Sequence, residues 1–250
     1  MKEGAAIMEV RRSHDRGYAD HGWLKSFQSF SFADYYDPEH IEFGSLRVFN
    51  DDRVEPGADL GLHEHRDMEI VTYVLEGAIE HQDSLGNEAV IRPGDVQRLS
   101  AGRGVQHRRR NASKTQHARF LQMWIRPSEI GVPPTCEFRH FPVHERRGCL
   151  RMIASPKGEN GSLRIHQNVR IYAGLFDGAE RATFRVGANR RGYVHLASGC
   201  IAINDTWLKA GDAVMIRLPA TLELHTGRDA EVLAFDLPVT PPPDLDAELE

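Results

Sequence analysis

The strongest constraint on the fold is a succession of short strand-forming runs separated by turn clusters in the first half of the chain. Residues 70–75 are apolar or β-branched, and Glu76-Gly77 follows them as a turn. Further turn clusters at 83–87 and 92–95 separate two more short strand-forming runs. Short strands at this spacing predict an all-β sandwich or barrel.

Two histidines precede the first of these runs. His63 and His65 stand two residues apart. Because side chains alternate between the two faces of a strand, both imidazoles are predicted to project to the same side. A third histidine, His107, follows after a hairpin-like connection. Three such imidazoles suit a borderline transition metal such as Fe, Ni, Cu or Zn, with carboxylate or water completing the coordination.

Several motifs around these histidines are specific when they are taken together. They are HGWL at 21–24, FSFADYYDP at 30–38, LRV at 46–48, H-x-HRDME at 63–69, EH-x-DS-x-GN at 80–87 and SAG-x-G at 100–104. With these motifs the sequence resembles the pirin family, in its bacterial quercetinase-type branch of the cupin superfamily. The match is dense over residues 9–130 and looser over 150–238.

The resemblance implies an all-β bicupin, with two β-barrels of the double-stranded β-helix or jelly-roll type. It also implies one mononuclear metal in the N-terminal domain, held by three histidines and one glutamate. Carried over residue by residue, the histidines are His63, His65 and His107. The glutamate's position is occupied by Arg109. We expect one divalent transition metal, Fe(II) before Ni, Cu, Mn or Zn, and a pocket without metal stays open as an alternative.

Arg109 opposes a metal on physical grounds. It stands two residues after His107, so both side chains are predicted to point into the same barrel. Unit charges about 6 Å apart interact by roughly 3 kcal/mol at an effective dielectric near 20, and a divalent ion doubles this. The arginine stem could carry its guanidinium out to solvent or onto a carboxylate. Alternatively the metal is lost and Arg109 binds an anionic ligand.

Glu69 is a further candidate for the missing fourth ligand. It lies an even number of residues from His63 and His65, which places it on the same face of the predicted strand. The alternative is a carboxylate that orients a histidine without touching the metal.

A weak internal repeat divides the chain into two parts. Gly77 followed by Pro93-Gly94-Asp95 parallels Gly199 followed by Gly211-Asp212. We predict an N-terminal cupin domain with the metal site over 1–130, an inter-domain crossover over 131–162, a C-terminal cupin domain without a metal site over 163–238, and a mobile tail over 239–250. The tail is proline-rich and then acidic, which is typical of an extended end.

Composition restricts the surroundings and the partners. No run of about 18 apolar residues occurs, and the N-terminus has no apolar stretch typical of a signal peptide, so we expect a cytoplasmic protein without membrane contact. A net charge of -5 gives no long-range attraction for nucleic acid. Three widely spaced cysteines, Cys136, Cys149 and Cys200, predict buried free thiols and no disulfide framework.

Whether the chain is an enzyme stays open at this point. As an enzyme, it would be a dioxygenase that opens the central ring of a flavonol with O₂. Its catalytic base would be Glu69, because Arg109 stays protonated and cannot accept a proton. As a binding or regulatory protein with a lost or altered metal site, it would contact a protein partner. The metal or Arg109 would then sense redox state or bind a small anion. A third alternative is a structural protein with an empty barrel.

Overall fold

The computed structural model describes residues 8–239, and strands make up most of them. The strands are β1 (Met8–Arg11), β2 (Gly17–Asp20), β3 (Leu24–Gln28), β4 (Leu46–Val54), β5 (Asp59–His65), β6 (Glu69–Glu76), β7 (Ile79–Asp83), β8 (Glu88–Ile91), β9 (Asp95–Ser100), β10 (Val105–Asn111), β11 (Ala118–Ile125), β12 (Thr135–His140), β13 (Arg151–Ser155), β14 (Leu163–Arg164), β15 (Arg170–Phe176), β16 (Ala182–Val186), β17 (Arg190–Ile203), β18 (Thr206–Lys209), β19 (Ala213–Ile216) and β20 (Ala220–Pro238). A four-residue helix, α1, spans Val143–Arg146, and short 3-10 turns span Ser13–Asp15 and Glu159–Gly161.

Three sheets organise these strands. The N-terminal half contains a seven-stranded sheet in the order β12-β9-β6-β11-β4-β3-β2 and a four-stranded sheet in the order β5-β10-β7-β8. The C-terminal half contains one nine-stranded sheet whose longest strands are β17 and β20. The all-β prediction is therefore confirmed. None of the helices within residues 8–239 has the length and apolar character needed to cross a membrane.

Strands from the start of the described chain and from the predicted crossover connect the two halves. β1, at the start of the described chain, pairs with β19 of the C-terminal sheet. β12 lies in the predicted crossover and pairs with β9 of the N-terminal half, whereas β13 pairs with β15 of the C-terminal half. The crossover thus supplies strands to both sheets, and the predicted domain limits stay a prediction. Apart from Val239, the predicted tail lies outside the described residues.

A single buried core joins the two halves. Phe49 on β4 packs its ring 5.4 Å from that of Tyr193 on β17 and 5.9 Å from that of Phe235 on β20. Tyr73 on β6 and Met123 on β11 belong to the same cluster of buried side chains. Burial of a large apolar side chain contributes roughly 1.5–3 kcal/mol. The larger N-terminal sheet therefore uses one face to hold the C-terminal half.

Buried ion pairs lie along this shared face. The Arg119 guanidinium on β11 donates two hydrogen bonds, of 2.9 and 2.7 Å, to the carboxylate of Asp51 on β4. It also donates to the Ala197 carbonyl of the C-terminal half at 2.8 Å. A second network joins Tyr73, whose hydroxyl donates to Glu231 at 2.5 Å, with Arg146, which donates to the same carboxylate at 2.9 Å.

Arg119→Ala should destabilise the protein by about 3–5 kcal/mol, because it leaves the Asp51 carboxylate buried without its counter-ion. The measurement is urea-induced unfolding. Arg110→Ala is the matched control, since Arg110 forms its ion pair with Glu80 on the exposed face of β10 and should shift the midpoint much less. Equal losses in the two variants would contradict the role given to the buried pair.

Candidate functional site

The interiors of the two halves differ in chemistry. The C-terminal half is filled by apolar side chains such as Phe176, Val194 and Leu222. The N-terminal half has smaller apolar clusters, and polar side chains are buried beside them. A cavity of about 430 Å³ opens into this polar interior and is lined by Tyr18, Ala19, His21, Trp23, Leu24, Ser26, Gln28, Phe32, Ala33, Asp34, Tyr35, Asn50, Asp52, Leu60, His63, His65, Gln122 and Trp124.

Strand pairing brings the three predicted histidines together. β5 and β10 are antiparallel neighbours, and His107 stands directly opposite His63 in their register. The Nε2 atoms of His63 and His107 are 2.8 Å apart. One ring nitrogen from each of His63, His65 and His107 can be chosen so that all three lie within 4.8 Å of one another. The structure therefore shows the predicted convergence of three imidazoles.

The imidazoles are held in their neutral form. Burial lowers the pKa of His63 and His107, and it lowers that of His65 to about 3; the nearby positive charge of Arg109 acts in the same direction. Nδ1 of His63 lies 3.2 Å from the Gly61 carbonyl, so an Nδ1–H can donate to it and leave the Nε2 lone pair free. Nε2 of His65 is buried without a hydrogen-bond partner among the described residues. Three neutral nitrogen donors fit a transition metal.

Arg109 points into the same interior. Along β10 the side chains alternate, and His107, Arg109 and Asn111 are buried while Arg108 and Arg110 are exposed. Arg109 is 1% exposed, and its Nε and Nη2 atoms have no hydrogen-bond partner in the described part of the chain. Burial lowers its pKa to about 10, so it stays charged at neutral pH. The predicted escape of its guanidinium to solvent is therefore wrong.

Glu69 lies apart from the three histidines. β5 ends at His65, and a turn with Asp67 at a φ of 45° separates it from β6, which belongs to a different sheet. Glu69 pairs with Ile125 of the shared core, whereas the cavity-lining Trp124 pairs with the next residue of β6. Paired residues share a face, so Glu69 points away from the cavity.

The contacts of Glu69 confirm this placement. Its carboxylate accepts a hydrogen bond from the Ser100 hydroxyl at 2.9 Å and lies 3.2 Å from Nδ1 of His166. The even spacing placed Glu69 on the same face as the histidines only because one continuous strand was assumed, and that assumption is wrong. The geometry does not support Glu69 as a ligand or a base at this site.

The cavity contains a carboxylate that the sequence reasoning missed. Asp52 on β4 is 4% exposed, lines the cavity with His63 and His65, and has one carboxylate oxygen without a hydrogen-bond partner among the described residues. Burial raises its pKa to about 7, and hydrogen bonding to Ser26 and the charge of Arg109 oppose that rise. The available signal was the run Asn50-Asp51-Asp52 inside a strand-forming stretch, since buried polar residues are unusual.

The structure also shows the surroundings of Asp83 and of the three cysteines. Asp83 caps its turn, because one carboxylate oxygen accepts hydrogen bonds from the backbone N–H groups of Leu85 and Asn87, each at 3.0 Å. The three cysteines are free, as predicted. They are not buried, however, because Cys149 is exposed and the other two are partly exposed.

Two β-barrel halves, with a histidine cluster inside one of them, define this chain as a bicupin. The family model described as pirin matches residues 8–125, and the one described as quercetinase C-terminal cupin domain matches residues 152–237. A quercetin 2,3-dioxygenase from Escherichia coli strain K12 is 40% identical over 232 residues, which cover 93% of this chain and 99% of that relative. The chain belongs to the pirin family.

Other relatives agree with this assignment. A pirin-like protein from Caulobacter vibrioides is 39% identical over 228 residues, covering 90% of this chain and 98% of that protein. The crystal structure of the bacterial pirin YhhW from Escherichia coli in complex with nickel(II) is similar at a TM-score of 0.88 and 40% identity, covering 94% of this chain and all of that one. The predicted family and the bicupin fold are both confirmed.

Asp52→Asn should stabilise the protein more at pH 8 than at pH 5. A carboxyl group whose pKa rises from 3.8 to about 7 on folding binds more protons in the folded state. Its contribution to stability therefore falls as the pH rises from about 4 to 7. The increase in the free energy of unfolding caused by Asp52→Asn should be roughly 2–3 kcal/mol larger at pH 8 than at pH 5, as measured by urea unfolding.

Asp205→Asn, at an exposed turn, is the control for this substitution and should behave alike at both pH values. A loss of stability in Asp52→Asn that is the same at pH 5 and pH 8 would contradict the raised pKa of Asp52.

Proposed function

We propose that this protein is a metal-dependent dioxygenase that opens the central ring of a flavonol with O₂. The observation that supports this proposal most strongly is a cluster of three neutral imidazoles, two of which line an aromatic-walled cavity. The chain belongs to a family whose Escherichia coli relative is a quercetin 2,3-dioxygenase. In this proposal, His63, His65 and His107 hold one divalent transition metal. Fe(II) is the first candidate, and a similar pirin structure contains nickel(II).

The cavity suits a flat aromatic substrate. Trp124 stands with its ring centre 4.8 Å from that of His65, and Phe32 packs edge-on against Trp124 at 5.3 Å. Trp23 and Tyr35 add further aromatic surface to the lining. A volume near 430 Å³ lies within the range of about 300–1,000 Å³ that is typical of small-molecule sites. Aromatic walls next to the histidines would hold a flavonol by stacking and by burial of its rings.

Arg109 changes what this site can do. When bound, the metal supplies Lewis acidity and one-electron chemistry towards O₂. A buried guanidinium beside the three histidines repels that cation and weakens its binding. The same charge favours a negatively charged substrate, such as the anion of a flavonol. We therefore expect weaker metal binding than a glutamate at this position would give.

The two halves differ in the polarity of their interiors, and this difference indicates different roles. We propose that the N-terminal domain, predicted over 1–130, carries the reaction, because its interior is polar and contains the cavity. The C-terminal domain, predicted over 163–238, has an apolar interior and packs against the outer face of the larger N-terminal sheet. Its role is to support the strands that build the site.

His63→Ala should lose metal binding. Protein purified without a histidine tag and incubated with Fe(II) or Ni(II) should hold near one equivalent by mass spectrometry. His14→Ala, at a side chain that is 80% exposed, should keep it. Equal metal content in His63→Ala and wild type would overturn the assigned ligands.

Arg109→Glu should bind metal at least a hundredfold more tightly than wild type, on the order of 3 kcal/mol, whereas Arg53→Glu on the surface should not.

Metal-loaded wild type should convert quercetin to ring-opened product under air. Product is measured by liquid chromatography with mass detection. Glu69→Gln should retain most of this turnover, because Glu69 contacts Ser100 and His166 on the other face of the sheet. Absence of product across a panel of flavonols would remove the dioxygenase assignment.

One observation favours a second candidate function, the binding of a small anion. Two nitrogen atoms of the Arg109 guanidinium are buried without a hydrogen-bond partner in the described chain, and a carboxylate would satisfy both. Titration calorimetry of metal-free protein with formate and acetate should then show binding that Arg109→Gln abolishes and Arg53→Gln retains. Identical heats in wild type and Arg109→Gln would exclude this function.

A further inference from the structure

Ring opening of a flavonol begins with loss of a proton from its 3-hydroxyl group. The resemblance to pirin-type quercetinases implies that a metal-bound glutamate takes that proton. Here Arg109 occupies the position, and its guanidinium stays charged. Glu69 points towards Ser100 and His166. If the proposed function holds, another group in the cavity must accept the proton.

Two carboxylates line the cavity, and only one of them is shielded from water. Asp34 is exposed, whereas Asp52 is 4% exposed. One oxygen of Asp52 has no hydrogen-bond partner among the described residues, and the carboxylate also engages the Ser26 side chain of the neighbouring strand. An unsatisfied acceptor on a buried carboxylate is costly unless a ligand or water completes it.

We propose that Asp52 is the general base of this cavity. One of its carboxylate oxygens accepts the proton of the flavonol 3-hydroxyl, the O–H bond breaks, and its electron pair stays on the substrate oxygen. Asp52 becomes neutral, the substrate becomes an anion, and the positive charge of Arg109 balances that anion. This inference rests on the proposed dioxygenase function and names the residue that replaces the missing glutamate.

The charges that surround Asp52 suit this task. Arg109 on β10 and the Ser26 hydroxyl on β3 favour the ionised form, whereas Asp51 on its own strand disfavours it. Neutral His63 and His65 line the same cavity. A base with a pKa near 7 combines a useful ionised fraction with enough basicity at neutral pH. The charges of Asp52, Arg109 and the substrate add up to zero both before and after the proton moves.

The test uses quercetin as the probe and separates proton transfer from oxidation. Metal-free and metal-loaded wild type, Asp52→Asn, Asp52→Glu and Glu69→Gln are mixed with quercetin without oxygen, from pH 5 to pH 9. The long-wavelength absorption of the flavonol anion is recorded. Turnover is then measured under air over the same pH range, and urea unfolding confirms that each variant is folded.

Wild type and Glu69→Gln should bind quercetin as its anion at pH 7, and Asp52→Asn should bind it in the protonated form. Turnover at pH 7 should fall about 10²–10⁴-fold in Asp52→Asn. The pH profile should lose its acidic limb, and Asp52→Glu should restore part of the anion signal. Equal anion signals and equal turnover in wild type and Asp52→Asn would overturn the assignment of Asp52.

The outcomes also distinguish this inference from the proposed function. Anion formation that depends on Asp52 without any turnover would support Asp52 as the base and reject the dioxygenase. Equal turnover in wild type and Asp52→Asn would support the dioxygenase and reject Asp52 as the base. Wild type that binds no quercetin would overturn both.

Discussion

Within residues 8–239, the guanidinium of Arg109 is buried without a hydrogen-bonded counter-ion, and its charge acts on every titratable group of the N-terminal barrel that lies near it. Removing a charge from water costs several kcal/mol unless other charges and dipoles compensate. Around Arg109 the compensation is distributed, because the histidines stay neutral and Asp52 supplies a carboxylate whose ionisation Arg109 favours. Burial lowers the pKa of His63, His65, His81 and His107, and the charge of the guanidinium acts in the same direction on all four. The chemistry open to the cavity follows from this balance.

The shared core fixes the strands that hold these buried polar groups in place. β4 and β11 face the C-terminal half on one side and the cavity on the other. Asp51 and Arg119 form their ion pair on the core side, while Asp52 and Gln122 point into the barrel. Strands that the core fixes on one face can hold buried polar groups in defined positions on the other face. The apolar barrel thus supports the polar barrel, in which we propose that the chemistry takes place.

Parts of the site could be read directly from short-range periodicity. The alternation on β10 correctly placed His107 and Arg109 inside, and the spacing of two placed His63 and His65 on one face. The same rule failed at Glu69, because it holds only along a continuous strand. Asp67 turns the chain between β5 and β6, and the two strands then enter different sheets. No local pattern in residues 66–68 predicted that the chain changes sheets there.

The sequence by itself determined the β-strands, the family and the convergence of the histidines. It also determined that an arginine stands where the resemblance implies a glutamate. Each of these depends on residues that are close in the chain or on a motif. Tertiary structure alone decided that Glu69 serves the interface between the halves and that Asp52, from a strand before the motif, enters the cavity. Both placements depend on which strands become neighbours, and that pairing is set by burial of the whole sheet rather than by any local pattern.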